Sequence, residues 1–278
     1  MLSYRHAFHA GNHADVLKHL VEILVLEYLV QKAGKPLRYI DTHAGPGTYD
    51  LGSSFASKNR EFDTGISRLW ERSDLPRPLV NYVDHVRALN PGGELQHYPG
   101  SPALAAKILH AGHRLQLFEL HPDDAGRLQR WAGRDPRIKV RHSDGFAALK
   151  AVLPPVEKRA LVMIDPPYEV KTDYDTAVDA LQLASRKFAT GVYVLWYPLL
   201  NRGLVSAMLS KLRAMSVKHL LAELPVMPAA EQGMYGSGVF VINPPWLLQQ
   251  QLQECLPYLQ DVLASPDAER FRLLANGD

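Results

Sequence analysis

The sequence predicts an α/β fold: an open sheet with helices packed on it and one interruption near its start. Three observations predict it. From Leu115 onward, short apolar runs rich in branched residues alternate with longer helical stretches. Several of those runs stop at an acidic turn, at Asp41, Glu119, Asp144 and Asp165, where open α/β sheets bind their ligands. Between the first run and the second, from about Tyr49 to Gly100, the alternation is lost.

The chain has 278 residues, near the upper limit for one core, so one domain plus an insertion is expected. Thirty-one basic residues against 29 acids leave a net charge of +2, which permits a nucleic-acid partner without indicating one. The one cysteine, Cys255, excludes an internal disulfide and a Cys-cluster zinc site and suits a reducing cytoplasm. Met1–Ala10 is polar and His-rich, unlike a secretory signal. Leu20–Val30 is interrupted by Glu22 and Glu27 and is too short to cross a bilayer. No membrane association is expected.

His6, His9, His13 and His19 crowd the start of the chain. His9 and His13 are four apart, but Gly11-Asn12 breaks any shared helical face and no further ligands converge, so no metal is expected. A helix is predicted from near Asn12 to about Lys32. Leu17, Leu20, Val21, Leu24 and Tyr28 form its core face, and Gly34 and Pro36 end it. The polar and aromatic group Tyr4, Arg5, His6 and Lys18 ahead of such a helix is either solvated or part of a site.

Strand one, Leu37–Ile40, runs into Asp41-Thr42-His43-Ala44-Gly45-Pro46-Gly47. A Gly-x-Gly turn lets backbone approach a nucleotide-like ligand closely. The third glycine of a dinucleotide fingerprint is missing, since Asp50 stands there. An acid before such a turn is instead typical of S-adenosylmethionine sites, and His43 would face that cofactor. The segment 50–99 contains helical pieces (Gly65–Arg72, Leu79–Leu89) among many breakers and reads as an inserted helical subdomain. The main fold restarts at Gly100, with Ser101 as N-cap and Pro102 as first residue of a helix over Ala103–Ala111.

Strand two, Leu115–Phe118, ends in Glu119, placed to accept both ribose hydroxyls of an adenosine. Helix Pro122–Trp131 and strand three, Ile138–Arg141, follow. Asp144-Gly145 at that strand's end can accept from the cofactor's adenine amino group. Helix Gly145–Val152 leads to strand four, Leu161–Ile164. Helix Tyr174–Lys187, strand Gly191–Trp196, helix Arg202–Met215 and strands His219–Leu224 and Gly238–Ile242 complete the prediction. Basic residues concentrate between Arg127 and Arg141. A solvated surface is the plain reading of that run and an RNA-phosphate patch the functional one.

Strand four ends in Asp165-Pro166-Pro167-Tyr168. The prolines fix φ and remove two N–H groups, so the strand stops and presents a carboxylate, a free carbonyl and a flat ring. That set suits a planar amine. Asp165 and the Pro166 carbonyl can accept both hydrogens of an adenine amino group while Tyr168 stacks on the ring. Acceptors on both hydrogens favour the pyramidal nitrogen that attacks. The pattern resembles the D/N-P-P-Y/F/W motif of amino-group methyltransferases. Asn243-Pro244-Pro245-Trp246 fits it too, but its place after the last strand marks it as a plain strand terminus.

Over nearly its full length the chain resembles the bacterial 23S rRNA adenine-N6 methyltransferases of the RlmJ family. MLSYRHAFHAGNHADVLKH carries the resemblance most specifically, with YIDTHAGPG, YPGSP, ELHP, SDGF, LVMIDPPYEVKTDY and FATGVYVLWYP in support. The family implies a Rossmann-like class I S-adenosylmethionine-dependent methyltransferase core over 1–49 and 100–278. Residues 1–19 would form a substrate and cofactor motif and 50–99 a small inserted helical subdomain. It implies a cytoplasmic monomer that methylates one adenine of 23S rRNA, acting on free RNA before assembly is complete. It places the cofactor against His19, His43, Ser101, Glu119, Asp144 and Gly145, makes Asp165 the catalytic acid, and sets Tyr4, His6 and Lys18 against the target adenosine. Pro46 stands where the family often has a small residue. A DNA adenine-N6 methyltransferase shares the motif order. A non-catalytic S-adenosylmethionine or RNA binder is the alternative outside enzymes, and the missing third glycine makes a nicotinamide oxidoreductase the weakest reading.

Overall fold

Alternation along the strands builds two cores, one on each face of a single sheet. The computed structural model describes residues 6–31, 34–200, 203–229 and 233–276. After a 3₁₀ turn at His6–Phe8, helix α1 (His13–Val30) leads to strand β1 (Arg38–Asp41). β2 (Thr48–Asp50), α2 (Ser54–Asn59), α3 (Ser67–Trp70), α4 (Arg77–Arg87) and β3 (His97–Pro99) make up the interruption. Then come α5 (Ser101–Ile108), β4 (Arg114–Glu119), α6 (Pro122–Ala132), β5 (Ile138–His142), α7 (Gly145–Val152), β6 (Ala160–Ile164) and α8 (Thr172–Lys187). β7 (Val192–Leu200), α9 (Gly203–Arg213), β8 (His219–Pro225), β9 (Met234–Ile242), α10 (Leu248–Leu263) and β10 (Arg272–Asn276) complete the order.

Eight strands form the sheet in the order β10-β8-β9-β7-β6-β1-β4-β5. β5, β4, β1, β6 and β7 pair in parallel, β9 runs antiparallel to β7 and β8, and β10 runs antiparallel to β8. This is the class I S-adenosylmethionine-dependent methyltransferase sheet, as the resemblance implies. From β1 the chain passes outward to β4 and β5 and then crosses back to β6 on the other side of β1, so a crevice opens above the β1–β6 pair. Tyr39, Leu161, Met163 and Val194 face the core that contains α1, α4, α5 and α10. Ile40, Val162, Ile164 and Leu195 face the other, with α7, α8 and α9. A strand buried on both faces reads as an unbroken apolar run, and β6 is one.

The first helix differs from its prediction. Asn12 caps α1 by accepting from the Ala14 and Asp15 N–H groups, as Asn does at N-caps. Every residue from His13 to Leu26 is buried, not one face alone. α1 lies between α5, β9, α4 and α10, so its apolar side chains each contribute about 1.5–3 kcal/mol from all directions. That enclosure also puts Asp15, Lys18, His19 and Glu22 out of water.

The interruption is not purely helical. β2 and β3 pair antiparallel, and Gly100 N–H donates to Gly47 O at 2.9 Å, so the segment leaves and returns at one place. The α5 prediction also needs correction. Gly100 is the N-cap, Ser101 is already helical, and the helix ends at Ile108. Strands β7 and β9 run further than predicted, to Leu200 and from Met234. Beyond Leu195 β7 has lost β6 as a neighbour, and Pro198 is tolerated on that freed edge. Asn243 ends an antiparallel strand: Ile242 pairs with Tyr193 at the start of β7, whereas Ile164 pairs with Leu195. The second proline pair therefore lies at the opposite end of the sheet from Asp165.

Candidate active site

Asp165 emerges from β6 into a cavity of about 440 Å³ at the carboxyl ends of the parallel strands, a volume typical of a small-ligand site. Its side chain is 14% exposed, and Lys18 Nζ donates to Oδ2 at 2.6 Å. The same ammonium lies 2.7 Å from Asp15 Oδ1, so one buried cation is shared by two carboxylates. Asp15 is the hub beneath the site. It accepts from Gly11 N–H at 2.8 Å and lies 3.0 Å from His6 Nε2 through either oxygen. Burial alone would raise Asp15, but His6 and Lys18 hold it well below the usual carboxylate range. Burial alone would lower Lys18, but Asp15 and Asp165 raise it. Lys18 is therefore a fixed cation, not a proton acceptor. Its Nζ lies 5.9 Å from the Trp196 ring centroid.

Tyr168 has φ +53°, a strained value for an aromatic residue. Its hydroxyl donates to Trp196 O at 2.9 Å and its ring lies 4.6 Å from that of Tyr174. The ring packs beside the cavity rather than along its wall, and is half-buried. Pro166 lines the cavity next to Asp165.

The other end of the cavity has the features an adenosine needs. Glu119 ends β4, with Oε2 accepting from Gly45 N–H at 2.8 Å and Oε1 from His121 N–H at 2.7 Å. Two N–H groups fix the carboxylate and leave lone pairs for hydroxyl donors. Burial pushes its pKa up, against those two donors. Gly45 has φ +60°, and a Cβ there would lie 2.5 Å from Tyr49 Oη, so the turn before Pro46 favours glycine. Asp144 caps α7, accepting from Phe146 N–H at 2.8 Å. A Cβ on Gly145 would lie 2.0 Å from Thr42 O. That glycine lets the turn after β1 sit directly on the α7 N-terminus.

His43 packs edge-on to Phe146 at 4.8 Å, and burial lowers its pKa to about 4 against the pull of Asp165 and Asp144. His19 is held by Tyr98 Oη at 2.8 Å, and Tyr98 by Tyr82 Oη at 2.9 Å. Burial lowers His19 to about 3, so it is neutral. Ser101 Oγ donates to Asp41 Oδ2 at 2.7 Å. Asp41 rises to about 6 through burial, against hydrogen bonds from Ser101 and Tyr39.

Of the residues singled out from sequence, His6, Lys18, His19, His43, Ser101 and Glu119 line this one cavity. So do Asp144, Asp165 and Pro166. Tyr4 lies outside the described residues. Gly145 shapes the cavity from behind. Sequence reasoning missed Asp15 and Glu22, although acids inside an otherwise apolar helix are a signal of buried charge. It also missed Glu61 of the interruption, which lies 2.9 Å from His9 Nδ1 and accepts from Asn12 Nδ2 at 3.0 Å. Ile66 N–H donates to Gly11 O at 2.9 Å. The interruption thus clamps the segment that leads into α1.

A family model described as "Ribosomal RNA large subunit methyltransferase D, RlmJ" matches residues 34–273. The chain belongs to that family. It is 48% identical over 265 residues to Ribosomal RNA large subunit methyltransferase J of Escherichia coli strain K12, covering 95% of this chain and 94% of the relative. It is 47% identical over 266 residues to the protein of the same name from Haemophilus influenzae, with the same coverages. A crystal structure of a Legionella pneumophila protein superposes with a TM-score of 0.90 at 36% identity, covering 96% of this chain and 98% of that one. The matched family span begins after the His-rich segment, whereas the alignments to the two relatives extend over 95% of the chain.

Proposed function

We propose that this chain transfers a methyl group from S-adenosylmethionine to the N6 amino group of one adenine in 23S rRNA. The observation that carries the reading is Asp165-Pro166 at the open end of β6, with a carboxylate anchored by Lys18 and facing a cavity whose far end carries Glu119. Family membership and the methyltransferase sheet support the enzyme class. The cavity fits S-adenosylmethionine by its donor and acceptor set. Glu119 would take the ribose hydroxyls, Asp144 and the Gly145 backbone the adenine, and His19, His43 and Ser101 the remainder. When bound, that cofactor supplies a methyl group on a positively charged sulfur.

The protein's own part is positioning and charge. With Oδ2 of Asp165 held by Lys18, Oδ1 is left to accept one hydrogen of the target amine, and the Pro166 carbonyl the other. Both acceptors localise the nitrogen lone pair for attack and stabilise positive charge as it develops. Lys18 stays protonated and cannot take the proton; Asp165 or solvent receives it. The adenine leaves its stack to reach this depth. His6, with Tyr4 two residues ahead of it in sequence, would receive it, while Tyr168 braces the Asp165 turn through the Trp196 carbonyl instead of stacking on the base. The protein acts on free RNA, as a monomer in the cytoplasm. No described helix is long and apolar enough to cross a membrane. The 50–99 segment acts as a subdomain that steadies the N-terminal motif through Glu61.

The test is methyl transfer from labelled cofactor to protein-free large-subunit rRNA from cells lacking the enzyme, followed by nucleoside mass spectrometry. One new N6-methyladenosine per molecule is expected. Transfer to duplex DNA and not to RNA would replace the substrate, and cofactor binding with no transfer to either would remove the activity.

A further inference from the structure

The cations of this protein are of two kinds, and the difference points to where RNA lies. In the 50–99 segment, three of the basic residues are spent on neighbouring carboxylates. Arg60 lies 2.7 Å from Asp63, Arg72 2.8 Å from Asp74, and Arg87 3.2 Å from Asp84. Six basic residues there stand against seven acids. From Arg127 to His142, six basic residues stand against one acid, Asp135. No other stretch of that length carries so large a net charge. Asp135 is taken by Arg137 at 2.6 Å, and Arg137 also donates to the Ala106 and Leu109 carbonyls. Among the described residues, Arg130, Arg134, Lys139 and Arg141 have neither a hydrogen-bonded nor an ion-paired partner, and all four are exposed.

Their placement is specific. α6 starts at the cavity, where His121 and Asp124 line the wall, and runs away from it for about 16 Å to the Arg134 turn. β5 returns along the free edge of the sheet and brings Arg141 and His142 back to the cavity end. His142 Nε2 lies 3.0 Å from the carbonyl of Leu120, an exposed residue of the cavity wall. Unpaired cations thus flank one sheet edge and end at the mouth of the site. Arg130 and Arg134 lie on the side of α6, which packs with Ile138 and Val140. Lys139 and Arg141 lie on the other face, in register with Gln116 and Phe118. Unneutralised cations on an edge strand also guard against pairing with another chain. That role does not require the continuation onto α6 or the absence of counter-charges there.

We infer that the β5 edge and the outer side of α6 form the track along which the phosphates of the RNA strand carrying the target adenine lie, held by Arg130, Arg134, Lys139 and Arg141. This rests on the rRNA substrate read above. Phosphate contacts set register and supply salt-dependent affinity without reading sequence. They therefore act on RNA capture and not on the methyl-transfer step.

The experiment compares two variants of the full chain with wild type, using protein-free large-subunit rRNA. In one, Arg130, Arg134, Lys139 and Arg141 are each changed to Gln; in the other, Arg60, Arg72 and Arg87 are. The edge variant is expected to raise KM for RNA tenfold or more at physiological salt, with kcat and cofactor affinity unchanged. The slope of log K against log salt should become shallower by about 0.7 for each single-strand phosphate left unneutralised. The Arg60/Arg72/Arg87 variant should match wild type. Wild-type KM and slope in the edge variant would overturn the track while leaving the substrate reading intact, as would an equal loss in both variants. Loss of cofactor affinity in the edge variant would assign these residues to structure and likewise overturn it. No uptake of RNA by wild type would instead remove the substrate reading itself, and the track with it.

Discussion

Two stretches of this chain share one local pattern: a buried strand ending in an Asp or Asn, two prolines and an aromatic ring. Asp165-Pro166-Pro167-Tyr168 ends a parallel strand, and Asn243-Pro244-Pro245-Trp246 an antiparallel one. Each includes one residue in the left-handed region, Tyr168 at φ +53° and Asn243 at φ +54°. The resemblance stops there. Asp165 turns into a cavity and is held by a lysine from another element. Asn243 Nδ2 donates to the Ala189 and Gly191 carbonyls at 2.8 and 2.7 Å, so its amide group closes the sheet's other end. Tyr168 packs against Tyr174, whereas Trp246 is 84% exposed. Strand direction decides which copy can meet a ligand. A proline-pair terminus becomes a site only where the parallel strands end together.

The strongest way to break the comparison is to truncate both termini. Asp165→Ala should lower kcat by about 10²–10³-fold, the usual cost of removing one preorganised charge-stabilising group. Cofactor affinity and fold should survive, because Lys18 keeps Asp15 as partner. Single-turnover methylation and cofactor titration would show it. Full activity in that variant would end the assignment of Asp165.

Acid and base sharpen the contrast, because buried titrating groups lie under the Asp165 end. Burial, and then the nearby Asp41, push Glu22 well above the usual carboxylate range. A carboxyl raised in the folded state adds stability that is complete below its unfolded pKa and lost as pH rises through the folded one. Glu22→Gln should therefore gain on wild type as pH rises above the ordinary carboxyl range, by up to about 1.4 kcal/mol per pH unit, read from urea unfolding at several pH values. Equal pH slopes would show that Glu22 ionises normally. Asn243→Ala should cost about 1–2 kcal/mol, since it strips the donors from two carbonyls, while kcat per folded molecule stays at the wild-type value. Trp246→Ala should change stability by less than about 0.5 kcal/mol, as expected for an exposed side chain. A loss of several kcal/mol in thermal unfolding would show that the ring has a structural role.

Much of this was legible because strand ends in this chain are marked chemically. β6 is an apolar run bounded by Glu157-Lys158-Arg159 on one side and Asp165 with two prolines on the other, and Asp41, Glu119 and Asp144 announce their strand ends, so the cavity wall could be assembled from residue order. What escaped depends on packing between distant elements. The sequence reading stops at Asn243 and does not reach α10. There Leu248, Leu252, Cys255, Leu256, Leu259 and Leu263 make a helical stripe, but Pro257 inside it reads as a breaker. The full enclosure of α1 was illegible for a similar reason: its outer face is covered by α4 and α10, supplied by remote parts of the chain. With that enclosure unseen, Asp15 reads as an ordinary first-turn acid rather than the anchor of Lys18. Ser101 reads as a helix cap for lack of any sign that Asp41 lies within reach of its hydroxyl.

The burial of α1 on every side has a consequence for how the molecule is made. α1 leaves the ribosome before α10, which packs on it and emerges more than two hundred residues later. Contacts so far apart in the chain form late. Until they do, the helix carrying Lys18 has one side in water. The helix carrying Lys18 is therefore fully enclosed only when α10 docks.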